Sequence, residues 1–423
     1  MGAIRLNYEI TPWLSFQGRV GRDFTFNKFE TKNTPYDVLG MHGYYSSSTN
    51  RTQSDNYDFL FTYRNTNIKD SKIGLDFSVG GAKWKINNYG ISGRSGTWYY
   101  PNFYAFSNYS NTVYETNEDG DIIIKEQGDN PKEIVAGETI YKRETSSVYS
   151  FLNLKYDDFL FLELTGRNDW SSTLPVENNS YFYPSLSLSF IVTEAFDLGL
   201  DWLNFVKIRG GAAQTATDAL AYQTDFYYNV DFYGGKQTAS YPDTIPPYSL
   251  KPQRVNSYEI GTTISVLDNK IDLDFTYYSL YSFDQIITAP LPVSSGATNI
   301  TINNGSMSNK GIEITLNTVP IQTNEITVET GLNFARNRNR IESLGGYAKV
   351  FPLADIWELN GPAMALSEGD DYGTIVGYEY VYHENGQPML NNEGTHYKIT
   401  DTRVPIGNAS PDFIAGWNTR IRY

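Results

Sequence analysis

The segment Glu115-x-Asn117-x-Asp119-Gly120-x5-Glu126 sets carboxylates and an amide at the alternate positions from which a calcium loop presents its oxygens. Its flanks, Thr112-Val113-Tyr114 and Ile122-Ile123-Ile124, read as strands, and Asp119-Gly120 is itself a hairpin-turn pair. The turn is the stronger reading, which leaves Asn117, Asp119 and Glu126 as a weak calcium candidate. Adjacent carboxylates occur at Asp157-Asp158 and Asp370-Asp371. Glycosidic acid–base chemistry needs two carboxyls converging at about 5 to 10 Å across one bond. Neighbours on a strand point to opposite faces and neighbours in a turn are solvated, so neither pair suits that task. His42, His383 and His396 share no metal-ligand spacing, and neither His-Glu-x-x-His nor Gly-x-Ser-x-Gly occurs. With no Cys, disulfides, thiolate metal sites and cysteine nucleophiles are excluded. The chemistry-bearing residues point away from an enzyme and call for no cofactor.

Binding is better served. Trp98-Tyr99-Tyr100, Phe103-Tyr104, Tyr227-Tyr228, Phe232-Tyr233 and Tyr241 cluster rings among Asn, Ser, Thr and Gly. Flat rings stack on the apolar faces of sugars while amides and carboxylates bond the hydroxyls. Trp98, Tyr99, Tyr100, Tyr104 and Tyr241 are the loop candidates, joined by Asn168, Asp169 and Trp170 where a strand leaves the sheet. The competing reading is that the rings pack the loops, and that Arg167, Asn168 and Asp169 only fix one of them. Rings without a basic cluster favour a glycan over a peptide as ligand.

The elements that would carry these residues are strands. Leu160, Leu162 and Leu164 flank Phe161 and Glu163; Leu186, Leu188 and Phe190 alternate with serines; Ile271, Leu273, Phe275 and Tyr277 flank Asp272, Asp274 and Thr276. About 13 such segments are expected, near 4–10, 14–20, 57–64, 73–79, 146–155, 159–167, 184–192, 204–213, 256–266, 271–281, 310–318, 325–336 and 412–423. One short helical turn is expected from Glu194 to Trp202. The fold class is all-β.

The connections alternate. Short ones include Thr11-Pro12-Trp13, Asp157-Asp158, Asp268-Asn269-Lys270 and Pro320 to Asn324; long ones span 21–56, 80–145, 168–183, 214–255, 282–309 and 337–411. A soluble sandwich has no reason to keep that rhythm, whereas an outer-membrane barrel has short periplasmic turns and long extracellular loops. Loops 80–145, 214–255 and 337–411 should then face outside, and turns 157–158, 268–270 and 320–324 the periplasm. One strand face is apolar, for lipid; the other carries mixed charge (Arg5, Asp58, Asp76, Glu163, Arg209, Asp274), for a watery or plugged lumen. Trp13, Tyr156, Phe159 and Trp202 sit beside short turns and Trp170 at a far strand end, where two aromatic girdles belong. A net charge of −15 argues against nucleic acid as a partner.

Several stretches carry a resemblance. Thr165-Gly166-Arg167-Asn168-Asp169-Trp170-Ser171-Ser172-Thr173-Leu174-Pro175, followed by Tyr181-Phe182-Tyr183-Pro184-Ser185, resembles the most recognisable block of SusC/RagA-type TonB-dependent outer-membrane transporters. Leu250-Lys251-Pro252, Tyr258-Glu259-Ile260-Gly261, Asp284-Gln285-Ile286-Ile287, Asn303 to Glu313 and Ile406 to Phe413 follow in family order, with Ala409-Ser410 departing from the Asn-containing pair expected before Pro411. The resemblance implies a barrel of about 22 strands closed by a plug, localised in the bacterial outer membrane. It also implies TonB as energy source, a SusD-like surface lipoprotein as partner, and a glycan or peptide as substrate. Residues 1–423 are then expected to be part of that barrel domain, without signal peptide, plug, first or last strands. About 13 strands would leave a curved open sheet. Two other readings stay open: a soluble secreted β protein that binds or hydrolyses glycans, and a siderophore- or cobalamin-type TonB-dependent receptor.

Overall fold

The computed structural model describes residues 2–33, 44–65, 72–95, 103–106, 112–116, 122–126, 135–233, 236–247, 249–346, 350–352 and 361–423. Period-two alternation produces long antiparallel strands. In chain order these are β1 (Gly2–Thr11), β2 (Leu14–Asn33), β3 (Tyr44–Asn65), β4 (Ile73–Arg94), β5 (Val135–Tyr156), β6 (Leu160–Ser171) and β7 (Ser180–Ile191). They continue with β8 (Leu203–Thr217), β9 (Gln253–Val266), β10 (Ile271–Pro290), β11 (Asn299–Gln322), β12 (Thr327–Leu344) and β13 (Ile414–Arg422). Each pairs with its sequence neighbour in one meander, and Thr244–Ile245 adds a short parallel pairing to β11, making a 14-stranded sheet. Among the described residues β1 pairs only with β2 and β13 only with β12, so the sheet is open.

Register sorts the two faces. Leu154, Leu162 and Leu188 form one cross-strand row and Leu152, Leu164 and Leu186 the next, all on the outer face. The intervening row, Asn153, Glu163 and Ser187, faces the concave side. Ile4, Leu6, Val20, Phe59, Leu164, Leu188, Ile260 and Trp417 are all exposed. In water such a face would be costly, at about 25 cal/mol per Å² of apolar surface; against lipid it is the favoured arrangement. The core in the ordinary sense is small, a cluster of Leu174, Tyr181, Ala219 and Leu250 where loops fold back at one end of the sheet.

Short turns gather at the other end. Asp157 (φ 51°) and Asn269 (φ 60°) take left-handed backbone, which short polar side chains tolerate. Lys72 donates to Asp157 at 2.6 Å, and that bond and charge hold the Lys72 ammonium above its ordinary pKa. Rings band this end: Trp13 against Tyr63, and Tyr156, Phe159, Phe190 and Phe196 in successive contact.

Two expectations need correction. The helical turn is Val192–Ala195 only, and Phe196 leaves it with extended backbone. The long connections are also shorter than expected, because strands continue well past the apolar band. β2 runs to Asn33 and pairs along its whole length with β3 from Tyr44, while β4 reaches Arg94 opposite Val135. In these upper halves Ser46 to Asn50 is polar on both faces, and Thr25 to Lys32 breaks the period of two with Phe26 and Phe29 on opposite faces, so no alternation marks them. The hydrogen-bonded ladder holds them. Beyond the sheet, the loops fold into Thr112–Thr116 paired with Ile122–Glu126, Asn229–Tyr233 paired with Lys236–Ser240, and a four-stranded sheet of Val350–Pro352, Ala363–Ser367, Thr374–Gly377 and Val404–Asn408.

Candidate functional site

At the upper end of the concave face, alternation along β6 turns Arg167, Asp169 and Ser171 inward and Asn168 and Trp170 outward. Arg167 donates from Nε to Asp169 at 2.7 Å and from Nη2 to the Ser147 hydroxyl at 2.8 Å. The Tyr183 hydroxyl donates to the other Asp169 oxygen at 2.7 Å. Asp169 is buried with both oxygens engaged, which makes it a fixed strut of the wall. Arg167 also lies over the Tyr149 ring, 5.6 Å from its centroid. That ring sits flat on the sheet because Gly80 is opposite: a Cβ there would meet Tyr149 at 2.8 Å and the Phe59 carbonyl oxygen at 2.4 Å.

One step higher the wall is tied to a loop. Ser171 donates to Asp218, just past β8, and lies 3.0 Å from the Thr173 hydroxyl. Arg143 Nη2 is 2.5 Å from Asp218 Oδ1, in ion contact though outside hydrogen-bond alignment. The Arg143 guanidinium lies over the Trp84 ring at 5.0 Å, and Trp84 Nε1 donates to Ser54 at 2.7 Å. These groups border a cavity of about 250 Å³ opening on the lumen, lined by Trp84, Arg143, Thr145, Asp169, Tyr181 and Asp218. Thr145 Oγ1 and Arg143 Nε are buried there without a hydrogen-bond partner. Arg143, Asp218 and Trp84 were not singled out in the sequence. No local pattern marks them, since the Ser171–Asp218 bond joins residues 47 apart.

The loops bring some candidate rings together. Phe226, Tyr228 and Tyr241 form a triangle with centroids 5.4 to 6.1 Å apart, and each is more than half exposed. Tyr241 therefore offers a free face. Tyr104 is half-buried with Lys32 over its ring at 5.4 Å, so it packs on the strand extensions. Asn168 donates to Ser180 at 3.0 Å on the outer face, and Trp170 stands exposed beside it at girdle height. Trp98, Tyr99, Tyr100, Asn117 and Asp119 lie outside the described residues. Glu126 ends a strand opposite Thr112, so the weak calcium candidate falls on a β-hairpin. Among the described residues no three His, Cys, Asp or Glu side chains group as metal ligands.

A meander with an apolar outer face, a polar concave face, short turns at one end and folded loops at the other is the wall of an outer-membrane β-barrel. The chain belongs to the TonB dependent receptor-like β-barrel family, whose model matches residues 2–419. TonB-dependent receptor P3 of Formosa agariphila is 27% identical over 309 residues, 67% of this chain and 31% of that protein. TonB-dependent receptor SusC of Bacteroides thetaiotaomicron is 26% identical over 274 residues, 60% of this chain and 27% of that protein. Among solved structures, the RagAB peptide transporter superposes with a TM-score of 0.77 at 18% identity, over 99% of this chain and 45% of that one. The outer membrane transporter YddB of Escherichia coli gives 0.52 at 12% identity, over 99% of this chain and 55% of that one. The chain spans about a third of the length of the curated relatives it matches.

Proposed function

We propose that residues 1–423 are one part of the barrel wall of a SusC-like importer, with the plug, the remaining strands and the contact to TonB supplied by sequence outside them. The importer takes up an oligosaccharide under a SusD-like lipoprotein and is not an enzyme. The observation that carries the substrate class is the exposed triangle of Phe226, Tyr228 and Tyr241, set among polar loop residues at the mouth end. Ring faces open to solvent suit the apolar faces of sugars, and polar side chains around them suit hydroxyls. Trp98, Tyr99, Tyr100 and Tyr104, from another of the aromatic-rich connections read in the sequence, are proposed as further contacts. The lumenal wall near Asp169 and Trp84 lines the path below.

A second reading, peptide import, is favoured by the fold likeness to the RagAB peptide transporter, at an identity that speaks for the fold alone. A panel of labelled oligosaccharides and peptides offered to cells expressing the full-length parent separates the two. Uptake of at least one oligosaccharide, reduced when Phe226, Tyr228 and Tyr241 are all replaced by Ala, supports the glycan reading. Uptake of peptides alone overturns it.

A further inference from the structure

The outer face of β10, β11 and β12 climbs from apolar to cationic in register. From the turn end upward its cross-strand rows are Leu273–Leu316–Leu332, then Phe275–Ile314–Phe334, then Tyr277–Ile312–Arg336. Above these come Ser279–Lys310–Arg338 and Tyr281–Ser308–Arg340. Lys310, Arg336, Arg338 and Arg340 thus share one face of two adjacent strands, and all four are exposed. With tilted strands rising about 2.5 Å per residue along the membrane normal, Arg336 stands about 23 Å above Thr327, at the top of an apolar band about 25 Å tall. Phe334, stacked on Phe413 at 5.8 Å, marks the girdle just beneath.

Charge at the same height is treated differently elsewhere on the wall. Along β2 to β5 the outward row Arg22–Asp55–Lys85–Glu144 is neutralised in place. Arg22 meets Asp55 at 2.5 Å, and Lys83 and Lys85 both contact Glu144. On β11 and β12, four cations share one ion contact among the described residues, Arg338 to Asp412 at 3.7 Å, with both groups exposed. Among the described residues, Glu342, Glu368 and Asp371 beyond them accept from neutral donors (Ser308, the Leu344 amide and Asn408) and make no ion contact with the four cations. Four like charges side by side repel one another unless an anion lies between them, and this chain carries −15 overall.

We propose that Lys310, Arg336, Arg338 and Arg340 form a docking site for the phosphate groups of an anionic glycolipid in the outer leaflet. Guanidinium forks match phosphate oxygens in pairs, and the girdle rings below would lie along the acyl chains. The height commits the site to a lipid, because a group that reaches it lies in the headgroup layer. Such a contact orients the barrel and fixes its depth in the membrane.

The test uses the full-length parent, purified in mild detergent and titrated with lipid A carrying both phosphates, with bound lipid counted by native mass spectrometry. Replacing all four residues by Gln should weaken binding about tenfold or more, since each basic group near a charged lipid surface contributes substantially. The charge-keeping set Lys310→Arg, Arg336→Lys, Arg338→Lys and Arg340→Lys should restore it, and Arg22→Gln with Lys83→Gln and Lys85→Gln should leave it unchanged. Dephosphorylated lipid A should bind weakly. Heat-shifted gel migration reports whether each variant is a folded barrel, and Arg338→Gln with Arg340→Gln replaces the fourfold variant if that one fails. Equal binding by parent and variant overturns the proposal. So does competition by inorganic phosphate as strong as that by lipid A, which would mark a free-anion site, or binding of an acidic soluble protein with none of lipid A.

Discussion

Asp218, the first residue past β8, takes the hydroxyl of Ser171 and the guanidinium of Arg143 together, binding three separate stretches of chain at one buried carboxylate. The carboxylate has almost no solvent contact. Removing its charge would leave the Arg143 guanidinium without its ion partner. Breaking a fully buried pair from one side costs about 3 to 5 kcal/mol, and a quarter-exposed Arg143 puts this one below that range. Asp218→Ala in the full-length parent should lower the unfolding midpoint in detergent, and Asp225→Ala, in the same loop, should not. Equal midpoints would show that the tie contributes nothing.

The two faces of the sheet make opposite demands. Leu164 lies on the outer face in the row Leu152–Leu164–Leu186, and Ser187 faces the lumen opposite Glu163. Leu164→Lys should destabilise the barrel by about 2 to 4 kcal/mol, the cost of a lysine at mid-bilayer. Ser187→Lys, with a carboxylate across the strand pair, should be within about 1 kcal/mol of the parent. Urea unfolding from lipid vesicles measures both, and the reverse ranking would mean that the faces are exchanged.

That sidedness was legible in the sequence wherever one face was purely apolar, as at Leu160, Leu162 and Leu164. The upper strand halves were not, because Ser46 to Asn50 is polar on both sides and Thr25 to Lys32 breaks the period of two at Phe26 and Phe29, so their pairing rests mainly on the backbone ladder. Arg167, Asp169 and Tyr183 stood out through the resemblance of their block, yet their parity separated them from Asn168 and Trp170 only once the register was known. Asp218 and Arg143 meet through tertiary contact and leave no trace in spacing.

Topology can be read chemically, because residues 1–423 contain no Cys and labelling of the unsubstituted full-length parent sets the background. Tyr241→Cys should react with a membrane-impermeant maleimide on intact cells, and Asn269→Cys, in a short turn, only after lysis. Labelling of Asn269→Cys on intact cells would invert the assignment of the two ends.

The exposed rings make a further demand. Single Ala replacements of Tyr228 and Tyr241 should each weaken binding of the transported oligosaccharide about three- to tenfold, the scale of one ring contact. Tyr104→Ala should do less, since its ring is already under Lys32. Isothermal titration with the detergent-purified parent checks the order, and an unchanged affinity in both loop variants would remove the triangle from the site.

The most direct test of the central claim is uptake of labelled oligosaccharide by cells expressing the full-length parent, measured with TonB present and deleted. Saturable accumulation that disappears without TonB is the result expected of an energised importer. Accumulation at the same rate in both strains would make the protein a passive pore and contradict the account.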